Sequence, residues 1–271
     1  MKKTILLLAW LFVANHTFAQ TERAVDYLHH LPNDLKLDNS IRSYQMTTDY
    51  YNYNFSGVFL GKERVEGTIT YGLADSIRLN DVYVSNSRTL DADFPKGVKK
   101  DYVENFTYVF GVHLVSPEFF QENMPEADPL IMNLIWDAMG FEVFAYECWD
   151  SLTLNKEFQA KSINSALQIA NIGTFENKDT RITWIGITEM NHEICAIFKY
   201  SVMNNPLSIT LENMTMKGRS HYWGEVYVSL SDKQIECANL TEDVLSDTTI
   251  KGLTDNVLGY TVRTIAFLRT I

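Results

Sequence analysis

The stretch from residue 221 to 230 constrains the fold more than any other. Tyr222, Gly224, Val226, Val228 and Leu230 alternate with His221, Trp223, Glu225, Tyr227 and Ser229. A period of two puts each set on its own side of a β-strand and excludes a helix. The same alternation recurs at Tyr51, Tyr53 and Phe55, at Val65, Gly67, Ile69 and Tyr71, and at Ile194, Ala196, Phe198, Tyr200 and Val202. Ile77, Leu79, Asp81 and Tyr83 are expected on one side of a further strand, with Arg78, Asn80, Val82 and Val84 on the other. Residues 102–115 read as another apolar strand, and 257–271 closes the chain with a β-branched run. Short polar turns, such as Met190-Asn191-His192 and Ser231-Asp232-Lys233, join neighbouring segments into hairpins.

One helix is signalled by Asp128 as N-cap, Pro129 at the first helical position and Leu130, Ile131, Leu134, Ile135 and Ala138 at helical spacing. Gly140 is its expected stop. Short helices are also expected near 22–31 and 162–170. The fold class that follows is mainly β with a few helices (α+β). An antiparallel sheet is expected, of which an unclosed β-barrel covered by helices is one form. No linker or repeat divides the chain, so residues 20–271 read as a single β-rich domain.

Residues 1–19 read as a signal peptide. Lys2 and Lys3 precede an apolar run of ten, Ile5 to Ala14, and Thr17 and Ala19 supply small residues before a cut at Gln20. Ten residues are too few to cross a bilayer core of ~30 Å. The expected location is the periplasm or the extracellular space. With no Cys beside the cut, a lipoprotein is not expected. Cys148, Cys195 and Cys237 fit buried small apolar residues better than a disulfide framework.

A formal charge of −11 without a basic run argues against nucleic acid as a partner. No later apolar run is long enough for a transmembrane segment. Nothing in the sequence points to a cofactor or a metal. His221 and Glu225 are spaced like a helical metal pair, but on a strand they stand about 13 Å apart. His29 and His30 diverge on a helix, His192 and Glu193 fall in a turn, and His113 sits alone in an apolar run. Nucleophile and phosphate-loop motifs are absent. Asp137, Glu142 and Asp150 could serve a hydrolase as a carboxylate pair, but in an acidic chain nearness in sequence says little. The balance is against an enzyme without closing the question.

The remaining signal is aromatic: Phe, Tyr and Trp make up 13% of the chain. Trp223 and Tyr227, with His221, are the candidate ligand-binding residues, on a β face lining a cavity for an apolar or amphipathic ligand. Two other classes stay open: an envelope hydrolase with dispersed carboxylates, and a surface adhesin or protein-interaction module. The order of elements, with the hairpin from Gly224 to Glu236, resembles the bacterial envelope lipoprotein carriers (LolA/LolB-like). That resemblance implies an unclosed β-barrel with helices filling an apolar cavity, and acyl chains as ligand. It carries over no functional residue.

Overall fold

The computed structural model describes residues 25–111, 114, 116–124, 129–164, 166–169 and 173–270. The expected leader at 1–19, the Asp128 cap and His113 lie outside them. The described residues form one antiparallel sheet of thirteen strands: β1 (Arg42–Asn54), β2 (Phe59–Leu73), β3 (Ser76–Ser87), β4 (Val98–Lys99), β5 (Phe106–Tyr108), β6 (Glu157–Gln159), β7 (Ala166–Ile169), β8 (Gly173–Glu176), β9 (Arg181–Met190), β10 (Glu193–Leu211), β11 (Met214–Ser229), β12 (Ile235–Ile250) and β13 (Val257–Thr270). The main path runs β4-β3-β2-β1-β13-β12-β11-β10-β8-β7, with β5 on β3, β9 on β10 and β6 on β9. The first long strand pairs with the last, Ser43 opposite Thr270 through Asn54 opposite Gly259. The two hairpin series thereby become one sheet, which does not close on itself.

Beside a helical segment at 25–27, two α-helices lie wholly within the described residues, α1 (Pro117–Asn123) and α2 (Pro129–Tyr146). Ser116 caps α1, its Oγ accepting the Phe119 amide at 3.3 Å. α2 buries Ile131, Leu134, Ile135, Ala138, Phe141, Phe144 and Ala145 over about half of its circumference, and Met132, Trp136, Met139 and Tyr146 pack half-buried on the other half. Glu142 faces the Tyr71 hydroxyl of β2, which helps to hold its carboxyl down. Two residues on, Phe144 stacks on Tyr200 of β10 with ring centroids 4.1 Å apart. Strands β2 and β10 are five steps apart along the path, ~24 Å on a flat sheet, whereas two helical residues rise about 3 Å. Both contacts exist because the sheet curves round the helix.

On β11 the inward face is Tyr222, Gly224, Val226 and Val228, all buried. Gly224 is required by a close approach. A Cβ there would lie 2.0 Å from the Asn239 carbonyl oxygen and 2.6 Å from the Tyr200 hydroxyl, which donates to that same carbonyl at 2.7 Å. Gly224→Ala is therefore expected to lower the urea midpoint, at a cost of about 1–3 kcal/mol as an overpacked site. An unchanged midpoint would mean that β11 and β12 separate freely here.

Four sequence expectations change. Gly140 does not stop α2, which continues to Tyr146 because Phe141, Phe144 and Ala145 bury there. The 162–170 helix is instead a 3-10 turn at Lys161–Ile163 followed by β7. Among the described residues of the 102–115 run, only Phe106–Tyr108 forms a strand. On β3, Asp81 has φ +50° at a register shift against β2. That bulge turns Val82 inward and Asp81 outward, reversing the expected alternation beyond it.

Candidate functional site

The open end of the curved sheet gathers the chemistry. There β1 begins, β13 ends, β12 begins and the β9–β10 turn folds over. A cleft of about 450 Å³ is lined by Arg42, Asn191, Glu193, Glu236 and Arg269, with Ile41, Ser43 and Thr270 on its rim. The β1–β13 pairing brings residues from both ends of the domain to one place. Tyr44 stands opposite Arg269, and both neighbours of this pair along the strands, Arg42 and Phe267, share its inward side.

Glu236 is 1% exposed. Its Oε1 takes the Arg269 guanidinium and its Oε2 accepts the Asn191 amide at 3.0 Å. Burial pushes its carboxyl above the usual range, against the lowering by Asn191 and Arg269. Arg269 also stands 3.8 Å from Asp232. Glu193 accepts hydrogen bonds from Ser231 at 2.6 Å and Ser229 at 3.4 Å, both on Oε2.

Arg42 is 7% exposed. Its Nη1 reaches the Asp38 carbonyl only at 3.4 Å, and its guanidinium lies 4.8 Å from the Tyr71 ring centre. Its Nε has no hydrogen-bond partner. Two more partnerless buried atoms sit close by. Gln234 shares the Asp38 carbonyl with Arg42, and its Oε1 is unsatisfied. The Tyr146 hydroxyl, electrostatically coupled to Arg42, Tyr44 and Glu142, is unsatisfied too. Behind these groups, burial raises Glu142 to about 7, against the pull of Arg42 and the Tyr71 hydroxyl.

Beneath the cleft, behind its lining residues, the buried core is aromatic. Tyr44 lies flat on Phe267 at 4.2 Å, and Phe267 packs on Phe141 at 5.5 Å. The Tyr44 hydroxyl donates to the Ile235 carbonyl at 2.9 Å, and Tyr71 meets the Tyr44 ring edge-on at 5.5 Å.

A second charged group lies deeper, where α2 meets β12 and β13. Arg263 donates from Nε to Glu242 and from Nη1 to Asp137, each at 2.6 Å. Ser220 donates to the other Glu242 oxygen at 2.5 Å, and Asn133 donates to the Tyr50 hydroxyl at 2.9 Å. Burial raises Asp137 to about 6, although Arg263 pulls the other way. Asp137 and Glu142, the carboxylates considered for a hydrolase, thus belong to different clusters. Each faces a guanidinium at the helix–sheet interface.

Trp223, Tyr227 and His221 share a face, as their spacing implies. It is the outer face of the sheet, turned away from α2, and all three are half-buried there. Trp223 stands opposite Ser201 and Thr241. The Tyr227 hydroxyl donates to Glu225 at 2.6 Å, and His221 Nδ1 accepts the Asn204 amide at 3.1 Å. The structure does not bring them to the cleft. The alternation is as read, and the aliphatic side is the inner one. Among the described residues, no group of three or more His, Cys, Asp or Glu is arranged to hold a metal ion. Cys148, Cys195 and Cys237 are all free.

Sequence reasoning missed Arg42, Asn191, Glu236 and Arg269, and it read Glu193 only as a turn residue. One signal could have found most of them. Arg42, Glu236, Glu242, Arg263 and Arg269 all fall on the core-facing parity of their strands, where a charge needs a partner or a role.

No protein-family profile matches this chain, and no curated protein does. A solved structure described as the botulinum neurotoxin serotype C1 binding domain aligns over 86% of this chain and 85% of its own, at 8% identity and a TM-score of 0.11. A likeness of that size carries no argument about fold or function.

Proposed function

We propose that this chain is an exported, non-enzymatic protein that binds an amphipathic ligand at the open end of its curved sheet. The polar head occupies the Arg42 cleft, and the apolar part lies against the aromatic layer beneath it. One observation carries this reading: Arg42 Nε, Tyr146 OH and Gln234 Oε1 are buried without partners, Arg42 lines the cleft, Gln234 shares the Asp38 carbonyl with it, and Tyr146 lies within electrostatic reach of it. Leaving a buried polar group unsatisfied costs about 1–3 kcal/mol. Such deficits are rare in native proteins and ask for a reason. A ligand head that meets them while its tail covers Tyr44 and Phe267 supplies one. Burial of acyl surface at roughly 25 cal/mol per Å² provides the driving force.

A hydrolase reading finds less support, because Asp137 and Glu142 are each engaged by a guanidinium within the core rather than facing the cleft. The carrier-like order of elements agrees with the proposal without adding residues to it.

The test is saturable uptake of a fluorescent fatty acid by the purified protein, with one-to-one stoichiometry. Arg42→Gln is expected to weaken it about tenfold, the size of one lost charged hydrogen bond. Trp223→Glu is expected to leave it unchanged and to alter stability by no more than about 0.5 kcal/mol, as for other surface positions. Uptake abolished by Trp223→Glu and indifferent to Arg42→Gln would move the site to the outer face and favour the surface-interaction alternative.

A further inference from the structure

We infer that the cleft selects a zwitterionic head, with its phosphate or carboxylate oxygens on Arg42 and its ammonium on Glu193. This rests on the amphipathic-ligand reading and deepens it. The cleft offers two guanidiniums and two carboxylates, and their availability differs. Arg269 is spent on Glu236, which also holds the Asn191 amide, so this pair is closed. What keeps an open hydrogen-bonding position is one group of each sign. Arg42, which also interacts with the Tyr44 hydroxyl and Glu142, is nine-tenths buried with a partnerless Nε. Its one backbone acceptor, the Asp38 carbonyl, is distant and is taken at 2.9 Å by Gln234. Glu193 receives its two serine hydroxyls on a single oxygen, while a carboxylate has about four lone-pair sites.

An anion alone would satisfy the Arg42 Nε and be repelled by Glu193. A cation alone would leave that Nε unmet. A molecule carrying both charges a few bonds apart satisfies both groups. Arg suits the anionic end, because its planar fork matches phosphate and carboxylate oxygens. The ammonium, a compact donor of three hydrogens, suits a carboxylate already oriented by hydroxyl groups. Ile41 on the rim and Tyr44 below place apolar surface on either side of the head.

The test uses the full chain and displacement of a bound fluorescent fatty acid by three competitors: a single-chain phosphoethanolamine lipid, the phosphoglycerol lipid with the same tail, and tail-free glycerophosphoethanolamine. The ethanolamine lipid is expected to compete about tenfold better than the glycerol lipid. Glu193→Gln, a half-exposed change that keeps an acceptor for the serines, should erase that preference and leave the glycerol lipid unaffected. Arg42→Lys should weaken both lipids. Equal competition by the two lipids, or a preference that survives Glu193→Gln, overturns the head-group inference while the amphiphile reading stands. If glycerophosphoethanolamine matches its tailed form, the cleft takes a soluble zwitterion; the head-group inference then stands and the amphiphile reading falls. If no competitor displaces the probe, the head-group inference is overturned.

Discussion

Replacing Arg263 with Met is expected to destabilise the protein by about 3–5 kcal/mol at pH 7, the range for breaking a buried ion pair on one side. The guanidinium joins Asp137 of α2 to Glu242 of β12, with the Asp137 and Arg263 side chains 10% and 11% exposed. Without it, two carboxylates face each other across the helix–sheet interface. They must ionise in a poor solvent or take up protons. The loss should therefore shrink at pH 5. The triple change Arg263→Met, Asp137→Asn, Glu242→Gln should recover most of the stability, since neutral groups of similar shape replace an uncompensated charge. Urea unfolding of the three proteins at pH 7 and pH 5 decides it. A single variant losing less than about 1 kcal/mol, the scale of an exposed pair, would mean that water reaches this triad and that it does not fasten the helix.

The second large effect is on pH dependence. Burial raises Asp137 from 3.8 to about 6 and Glu142 from 4.5 to about 7. A carboxyl whose folded pKa lies above its unfolded value binds its proton more tightly in the native state. Its contribution to stability is present below the unfolded pKa and is lost as pH rises through the folded one. Stability should thus fall between about pH 4 and pH 7, by on the order of 3 kcal/mol for each group before compensation elsewhere. Asp137→Asn with Glu142→Gln should flatten the curve. Rising stability from pH 5 to pH 7 in the parent, or an unaltered slope in the double variant, would contradict the burial of these two groups.

Alternation carried most of the fold. The faces of β11 and β10 and the inward row Val65, Ile69 and Tyr71 are where a period of two puts them, because each strand buries one side. The start of α2 at Pro129 was legible from local chemistry. Its end was not, because tertiary burial of Phe141 and Phe144 outweighs the ~1 kcal/mol that a helical glycine costs. The Asp81 bulge was invisible to a count by twos. It depends on pairing with β2, and a single inserted residue exchanges the two faces.

The cleft was hidden for a different reason. Arg42, Glu193, Glu236 and Arg269 are scattered over most of the chain, and no spacing rule links them. They meet because β1 pairs with β13 and the β9–β10 turn reaches the start of β12. Aromatic content drew attention to Trp223 and Tyr227 instead. Large side chains on both sides of β11 do not tell inside from outside. The absence of a side chain does: Gly224, between Tyr222 and Val226, marks the face where Tyr200 crosses.

Amide hydrogen exchange of the full chain, with and without a saturating single-chain phospholipid, tests the central claim most directly. The account predicts added protection confined to the open end: residues 41–46, 142–146, 190–194, 235–238 and 266–269. Protection centred on 221–229 and its outer-face neighbours, or none under conditions where the lipid is monomeric and in excess, would contradict it.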